Sequence, residues 1–376
     1  MSKDDPLIFK GSKQRTLGLE WELQLVDQGT LNLADKVLPL MEAFPDIQWI
    51  QPEFIQSCIE ISSKVCHGIS ELEAHVHAVL KDLCQRSKNL GVLLCGAGTH
   101  PICQRLALIT PLPRYLRQQA LYGYLARNQI TFASHVHVGM PCGETAIALM
   151  REVKAYLPVL IAISSSSPFW RGYETGFACY RQRILASGRS FGIPPSFADW
   201  SRFCEFFSLS QRAGIFENID DIHWDIRPRP ALGTLEVRVM DSQTCLEDAI
   251  SLAAFVVCLI EYLQSTSEKD RPAMLPKPLP WWLEKENYFQ ANRAGCEAQY
   301  IDKRGNILAL KEIIECLWSE LLPCASAMEL LCYFEHLHQR IVSGVSWQRQ
   351  LQCYKKTGNL HDVVMLLVDE LWEGLG

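Results

Sequence analysis

The chain has 376 residues, of which 48% are hydrophobic and 21% are charged, a composition that excludes an intrinsically disordered protein. Its formal net charge of −6 argues against a nucleic acid as the main partner, because phosphate binding requires a basic surface. The N-terminal residues lack the apolar segment of a secretory signal, and the longest apolar run, residues 249–260, is too short to span a bilayer. The fifteen cysteines show no CxxC pair and no zinc spacing. We therefore expect a cytoplasmic protein with reduced thiols and no membrane contact.

The first predicted element is a β-strand over residues 16–27, TLGLEWELQLVD. Its large apolar residues alternate with glycine, glutamate and glutamine, the period of two that is typical of a strand with one buried face. Glu20 and Glu22 therefore lie on the same face, while Trp21 points to the opposite face and can pack in the core. An ordinary solvent-exposed face would explain such a pair. The alternative, a cation-binding face, depends on the strands that follow.

A second pair of glutamates follows in PEFIQSCIEIS, residues 52–62. Isoleucines flank Glu60 as they would in a strand. The spacing between Glu53 and Glu60 is odd, which places the two side chains on opposite faces of a straight strand. They converge only if the chain turns or bulges between them, near residues 56–57.

The predicted helices cover residues 70–90, 144–163 and 245–264. Ser70 and Glu73 form a capping-box pattern at the start of the first helix, and Thr244 is a candidate cap for the third. A short strand, VLLCGAG, follows the first helix.

Two further predicted strands carry polar side chains on one face. In TFASHVHVGM, His135 and His137 share a face, and imidazoles two residues apart on a strand can approach one ion or one phosphate. In GTLEVRVMD, Glu236 and Arg238 share a face. They are either a surface ion pair of little energetic value or a metal ligand beside a guanidinium that binds phosphate.

The chain is almost wholly helical from about residue 307 to its end, and the predicted strands lie before residue 245. The proline-rich stretch 272–282 is the best candidate for a boundary. We expect an α+β catalytic region over residues 1–271 and a helical C-terminal portion over residues 272–376, packed on the same domain. The apolar helices could cover the sheet or form a homodimer interface, and their periodicity does not distinguish the two.

The polar faces together hold five glutamates, two histidines and one arginine. If the strands belong to one sheet, these side chains line a carboxylate-rich trough whose mutual repulsion requires hard cations. Carboxylate oxygens suit Mg²⁺ or Mn²⁺, and Mg²⁺ commonly binds together with nucleotide phosphates. The alternative is a set of unrelated strands with solvent-exposed faces, and the pattern alone does not decide between the two.

These residues resemble the type 2 glutamate–cysteine ligases, also called carboxylate–amine ligases, of the glutamine synthetase-like superfamily. The resemblance extends from about residue 16 to residue 302. It is carried by TLGLEWELQLVD, GTHP (98–101), HVHVG (135–139), SSSSPFWRGYETGFACYR (164–181), WDIRPRPALGTLEVRVMD (224–241) and ENYFQANRAG (286–295). It implies a glutamine synthetase-like fold, with a curved, mainly antiparallel sheet and helices on its convex face. The concave face would hold ATP, divalent metals and an amino acid.

The resemblance also implies roles for individual residues. One metal group would be Glu20, Glu236 and His135, and the other Glu22, Glu53 and Glu60. Arg238 would contact the γ-phosphate and act in catalysis together with Glu22, and His137 would be a second polar neighbour of the nucleotide. Arg181 and Arg227 would bind a carboxylate or a phosphate, with a surface salt bridge as the alternative for each. The family often has three consecutive acidic residues on the first strand, whereas this chain has Trp21 in the middle.

The implied activity is the ATP-dependent joining of the γ-carboxylate of L-glutamate to an amine, that of L-cysteine in the named family, through an acyl phosphate. Small molecules would then be the partners, and ATP with Mg²⁺ or Mn²⁺ the cofactors. Two alternatives stay open: a ligase or phosphotransferase for another carboxylate and amine, and a non-catalytic metal- or nucleotide-binding protein. The sequence identifies no general base for the amine.

Overall fold

The computed structural model describes residues 7–12 and 14–375. Its strands are β1 Leu17–Asp27, β2 Ile50–Pro52, β3 Cys58–Ser62, β4 Val92–Cys95, β5 Ser134–Gly139, β6 Phe169–Trp170, β7 Tyr173–Glu174, β8 Phe191–Gly192, β9 His223–Trp224, β10 Ile226–Arg229, β11 Thr234–Val237, β12 Gln299–Ile301 and β13 Ile307–Ala309. Its helices are α1 Val37–Ala43, α2 Ile69–Asn89, α3 Pro113–Tyr122, α4 Tyr124–Asn128, α5 Gly143–Lys154, α6 Leu157–Ser164, α7 Arg181–Leu185, α8 Trp200–Arg212, α9 Leu246–Ser265, α10 Trp281–Ala294, α11 Leu310–Ala327, α12 Leu331–Ser343, α13 Ser346–Thr357 and α14 Leu360–Glu373.

Seven strands form one sheet in the order β10-β11-β5-β1-β3-β2, with β4 paired to the C-terminal half of β1. Every pair in this sheet is antiparallel. The long strand β1 lies near the centre, which puts its polar face between those of β3 and β5. The predicted α+β fold with a mainly antiparallel sheet is therefore confirmed.

The other face of the sheet is the main hydrophobic core. The apolar side chains of β1, including Leu19, Trp21 and Leu23, are almost completely buried and pack against α2 and α9, while α5 packs on β10 and β11. Trp21 lies in this core as expected, and its indole N–H points to Ser242 Oγ and the carbonyl oxygen of Gln243, each at 3.2 Å. Burial of one face by helices leaves the glutamate-bearing face free to line a cavity.

The predicted helices are present, but three local details differ. Helix α2 begins after Gly68 without a side-chain cap, so the capping box predicted for Ser70 is wrong. The expected helix over 144–163 is broken into α5 and α6, because Pro158 has no N–H to continue the hydrogen-bond ladder. The cap of α9 is Cys245, whose sulfur accepts the N–H of Asp248, and not Thr244.

The C-terminal portion is helical as predicted, with a short β12–β13 hairpin before α11. Helix α10 packs on α6 and α12 packs on α9, so the helices before and after the proline-rich stretch share one hydrophobic core. The division at residue 271 stays a prediction. In the part of the chain that the structure describes, no helix is long and apolar enough to cross a membrane.

Candidate active site

A cavity of about 520 Å³ opens on the polar face of the sheet. Carboxylates of β1 and β3 form its floor, and its rim is formed by helix α3 and by the segment 214–221. A smaller cavity of about 120 Å³ adjoins it and shares Glu22, Glu53 and Arg238 with it. The strands that were predicted to carry polar faces therefore meet at one site.

The strand register brings the glutamates together. Glu22 lies directly opposite Glu60 in the β1–β3 pair. Strand β2 ends at Pro52 and the chain turns before β3 begins, so Glu53 reaches the same cavity despite its odd spacing from Glu60. The turn that the sequence required between these two glutamates is present.

These glutamates are poorly neutralised by the protein itself. Burial raises the pKa of Glu22 to about 8, and the charge of Glu53 adds to the effect. Burial also raises the pKa of Glu53. The pKa of Glu60 is raised well above its ordinary value by burial and by the surrounding glutamates, although Ser62 donates a hydrogen bond to it at 2.6 Å. Such a cluster of oxygen ligands is suited to a divalent cation.

The two histidines lie beside Glu20. His135 Nδ1 is 3.0 Å from one Glu20 oxygen, and His137 Nε2 is 3.2 Å from the other. Burial alone would raise the pKa of Glu20, but the two histidines lower it well below its ordinary value. Burial and the charge of Arg238 lower the pKa of His135 to about 4, so its imidazole is neutral at neutral pH. A neutral imidazole is the form that binds a metal.

One ring nitrogen of His137, next to Glu20, lacks a hydrogen-bond partner. Its Nδ1 is hydrogen-bonded to Thr234 Oγ1 at 3.0 Å, whereas its buried Nε2 has no partner in hydrogen-bonding geometry. The ligand atoms of Glu20, His137 and Glu236 lie within 4.8 Å of one another, as do those of Glu20, Glu60 and His135. The residues present therefore fit a bound metal. His135 Nδ1 also lies 3.0 Å from Glu20 and 3.9 Å from Glu236, so the expected group of Glu20, Glu236 and His135 stays a prediction.

Glu236 is completely buried between arginines. Arg227 Nε donates to it at 2.8 Å, and Arg238 donates to its other oxygen. Burial opposes ionisation of Glu236, but Arg227 and Arg238 lower its pKa well below the ordinary value. For Arg227 itself, burial and the charge of Arg238 lower the pKa to about 10. The site thus holds a group of positively charged arginine side chains next to its group of carboxylates.

Arg181 and Arg227 are both buried, with 5% and 4% exposure, so the alternative of a surface salt bridge is wrong for each. Arg227 lines the larger cavity. Arg181 lines the smaller one, but its guanidinium donates to the carbonyl oxygens of Arg238 and Val239 at 3.2 and 3.1 Å. In this structure Arg181 supports the backbone that carries Arg238.

Sequence reasoning missed several residues of the cavity. Arg114 and Arg117 of α3 lie 3.9 Å from Glu53 and 3.3 Å from Glu217, respectively. Arg229 pairs with Asp220 at 2.8 Å, and His223 lines both cavities. No pattern marked the two α3 arginines, because charged residues on a short helix look like an ordinary solvent-exposed face.

The family model described as glutamate–cysteine ligase family 2 matches residues 16–365. The chain belongs to this family. A relative from Trichormus variabilis, provisionally named glutamate–cysteine ligase 2, is 47% identical over 364 residues, which cover 96% of this chain and 94% of the relative. A relative from Thermobifida fusca with the same provisional name is 33% identical and covers 97% of this chain and 93% of its own length. The expected class, an ATP-dependent amide-forming ligase, is confirmed by this family membership.

Two solved structures share the fold of this glutamate–cysteine ligase family member. One is a glutamate–cysteine ligase from Francisella tularensis in complex with AMP, with a TM-score of 0.68, 13% identity and coverage of 96% of this chain and 90% of the other. The second is a bifunctional glutathione synthetase from Pasteurella multocida, with a TM-score of 0.69, 13% identity and coverage of 96% and 53%.

Proposed function

We propose that the protein joins the γ-carboxylate of L-glutamate to the amine of L-cysteine, with ATP and Mg²⁺ or Mn²⁺ as cofactors. The observation that carries the proposal is the pair of opposing glutamates, Glu22 and Glu60, beside a group of arginines in one cavity. A carboxylate-rich floor beside a cationic wall suits a metal–nucleotide complex, because the metals bind the carboxylates and the arginines bind phosphate oxygens.

The proposed metal ligands are Glu20, Glu22, Glu53, Glu60, His135 and Glu236. His137 is added to this set because its buried Nε2 has no hydrogen-bond partner and lies close to Glu20 and Glu236. Bound metals would withdraw charge from the β- and γ-phosphates and bring the γ-phosphoryl group to the substrate carboxylate. Arg238 would stabilise the charge that builds up during phosphoryl transfer. Arg227 would hold the side chain of Glu236 in place, and Arg181 would hold the backbone of Arg238. Both arginines would also bind anions, as the sequence predicts.

The smaller cavity is proposed as the place of the amino-acid chemistry. It adjoins Glu22 and Arg238, where the γ-phosphate is expected, and part of its lining is apolar, from Phe54, Ile55 and Phe191. The mixed anhydride bond of an acyl phosphate hydrolyses readily in water, so a partly apolar lining would protect it from hydrolysis. The identity of the two amino acids rests on the names of the relatives. A cytoplasmic location and a homodimer stay predictions.

The test is Mg²⁺-dependent ADP release by the purified protein with L-glutamate, with and without L-cysteine and a panel of other amines, with products identified by mass. We expect ADP release that requires both amino acids and a γ-glutamyl-cysteine product. An amide with a different amine would replace the substrate assignment. ADP release without any amide would indicate a phosphotransferase, and binding of Mg-ATP without turnover would indicate the non-catalytic alternative.

A further inference from the structure

His223 lies where the larger and the smaller cavity meet. It begins strand β9, which pairs with β8, and its ring stacks on Phe191 with 4.7 Å between ring centroids and 21° between planes. It lines both the larger and the smaller cavity. Among the described residues, neither of its ring nitrogens has a hydrogen-bond partner, and the residue is partly exposed. An oriented imidazole with free nitrogens is therefore available to a substrate.

The other acidic groups along the rim are already engaged. Glu217 pairs with Arg117 at 3.3 Å, and Asp220 pairs with Arg229 at 2.8 Å. Asp221 accepts the backbone N–H of Glu217 at 2.7 Å and that of Asn218 at 3.1 Å. The carboxylates of the floor are assigned to metals in the proposed function, and His135 contacts Glu20. Among the described residues that line this cavity, His223 is therefore an imidazole without a hydrogen-bond or ion-pair partner.

The charges around His223 favour its neutral form. Burial, Arg227 and Arg238 hold the pKa of His223 well below its ordinary value, and His135 acts in the same direction. Glu236 opposes them. A neutral imidazole can accept a proton, and nucleotide phosphates bound beside the two arginines would offset their charge and raise the proton affinity of His223 in the loaded site.

We propose that His223 is the general base that takes the proton of the attacking amine. This inference rests on the proposed function. The amine nitrogen uses its electron pair to form a bond to the acyl carbon, and the bond from that carbon to the phosphate oxygen breaks. Phosphate leaves with the electron pair of the broken bond. The proton of the amine passes to a ring nitrogen of His223, and the imidazolium later returns it to the departing phosphate or to water.

The test measures separately the ADP and the amide formed in a single turnover by the wild-type protein and by the variant His223→Gln, after confirming that the variant still binds Mg-ATP. The proposal predicts that amide formation falls by about 10²- to 10⁴-fold. Phosphoryl transfer to glutamate continues, so ADP release falls much less and the amide-to-ADP ratio drops. The matched control is His67→Gln, because His67 is exposed and lines neither cavity. Its amide-to-ADP ratio should stay at the wild-type value.

A second variant, His223→Ala, tests the proton transfer directly. Added imidazole should restore part of its amide formation without changing its ADP release, because imidazole replaces the base but not the packing on Phe191. Equal losses of amide and ADP in His223→Gln, or no rescue of His223→Ala by imidazole, would overturn the proposal. A wild-type protein that forms no amide would overturn the proposed function as well, whereas an active wild type with an unchanged ratio in the variant would overturn only the role of His223.

Discussion

At the scale of single residues, the opposing glutamates Glu22 and Glu60 are the feature that most strongly supports the proposed cation site. Like charges directly opposite each other on antiparallel strands destabilise a sheet. Here Glu22 faces Glu60, and both pKa values are raised because burial removes water and neighbouring glutamates repel the added charge. The retention of such a pair in a buried site supports the proposed binding of a cation, at a cost to the stability of the empty protein.

Glu22→Gln should abolish ligase activity while the fold stays intact. Removing one carboxylate weakens the hold on the metal, and a loss of at least about 100-fold in turnover is expected for a transition state stabilised by charge. Circular dichroism and thermal unfolding should match those of the wild type. Glu312→Gln, a surface change on α11, is the control and should leave turnover unchanged. Normal turnover in Glu22→Gln would refute the metal assignment.

Glu60→Gln should have opposite effects on the stability of the metal-free protein and on the stabilisation that Mg²⁺ provides. Without metal, the variant should be at least as stable as the wild type, because a neutral amide relieves the repulsion in a side chain that is only 2% exposed. With saturating Mg²⁺ the wild type should gain stability, about 2.7 kcal/mol at a concentration of 100 times the dissociation constant. The variant should gain much less. Thermal unfolding with a Mg²⁺ titration measures both effects, and an equal gain in the two proteins would contradict the prediction.

At the scale of secondary-structure elements, the start of α9 joins the C-terminal helices to the sheet domain. Asp248, in the first turn of α9, accepts hydrogen bonds from His336 at 2.7 Å and Arg340 at 2.9 Å, both on α12. Arg349 of α13 lies 3.4 Å from its other oxygen and also pairs with Glu370 of α14. One buried carboxylate therefore connects α9 with two later helices, and through Arg349 with a third.

Asp248→Asn should destabilise the protein by about 3 kcal/mol at neutral pH, because it leaves partly buried arginines without their counter-charge. Burial would raise the pKa of Asp248, but His336, Arg340 and Arg349 lower it to about 2. Its contribution is therefore complete above the ordinary carboxyl pKa of about 4 and is lost as the pH falls through about 2. The difference in stability between Asp248→Asn and the wild type should therefore shrink from about pH 4 and vanish below about pH 2. Urea unfolding at several pH values measures this. Asp82→Asn, which breaks a surface pair, should change stability by less than about 1 kcal/mol.

At the scale of the whole molecule, the helices after residue 271 complete the core that begins in the sheet. Phe255 of α9 stacks on Trp318 of α11 with 5.7 Å between ring centroids, and Phe334 of α12 lies 5.8 Å away. Helix α14 covers a second apolar cluster on β4 through Leu367 and Val364. A chain cut at the proline-rich stretch would expose both surfaces.

A fragment of residues 1–271 should therefore fail to unfold cooperatively, while the whole chain should unfold in one transition. The reason is that α9 is apolar on nearly all sides and loses its partners α11 and α12. Calorimetry and near-ultraviolet circular dichroism of the fragment and the full chain test this. A fragment with a sharp transition and native-like circular dichroism would show that residues 1–271 form a domain of their own.

The fold class and most of the carboxylate set could be predicted from sequence, because alternation with a period of two fixes which side chains share a face. Glu20 and Glu22 on β1, and His135 and His137 on β5, are on the same face for that local reason. The apolar run continues through Pro158, so the apolar pattern alone predicts one helix where the structure has α5 and α6.

What the tertiary structure alone decided is which faces meet. The alternation of apolar and polar residues along a strand does not determine which strand pairs with it. The opposition of Glu22 and Glu60 therefore follows only from the β1–β3 register. The arginines of α3 and the imidazole of His223 reach the cavity through the packing of a helix and a short edge strand whose local sequences resemble ordinary surface. Local sequence sets the direction of a side chain within its element, whereas long-range packing sets what that side chain faces.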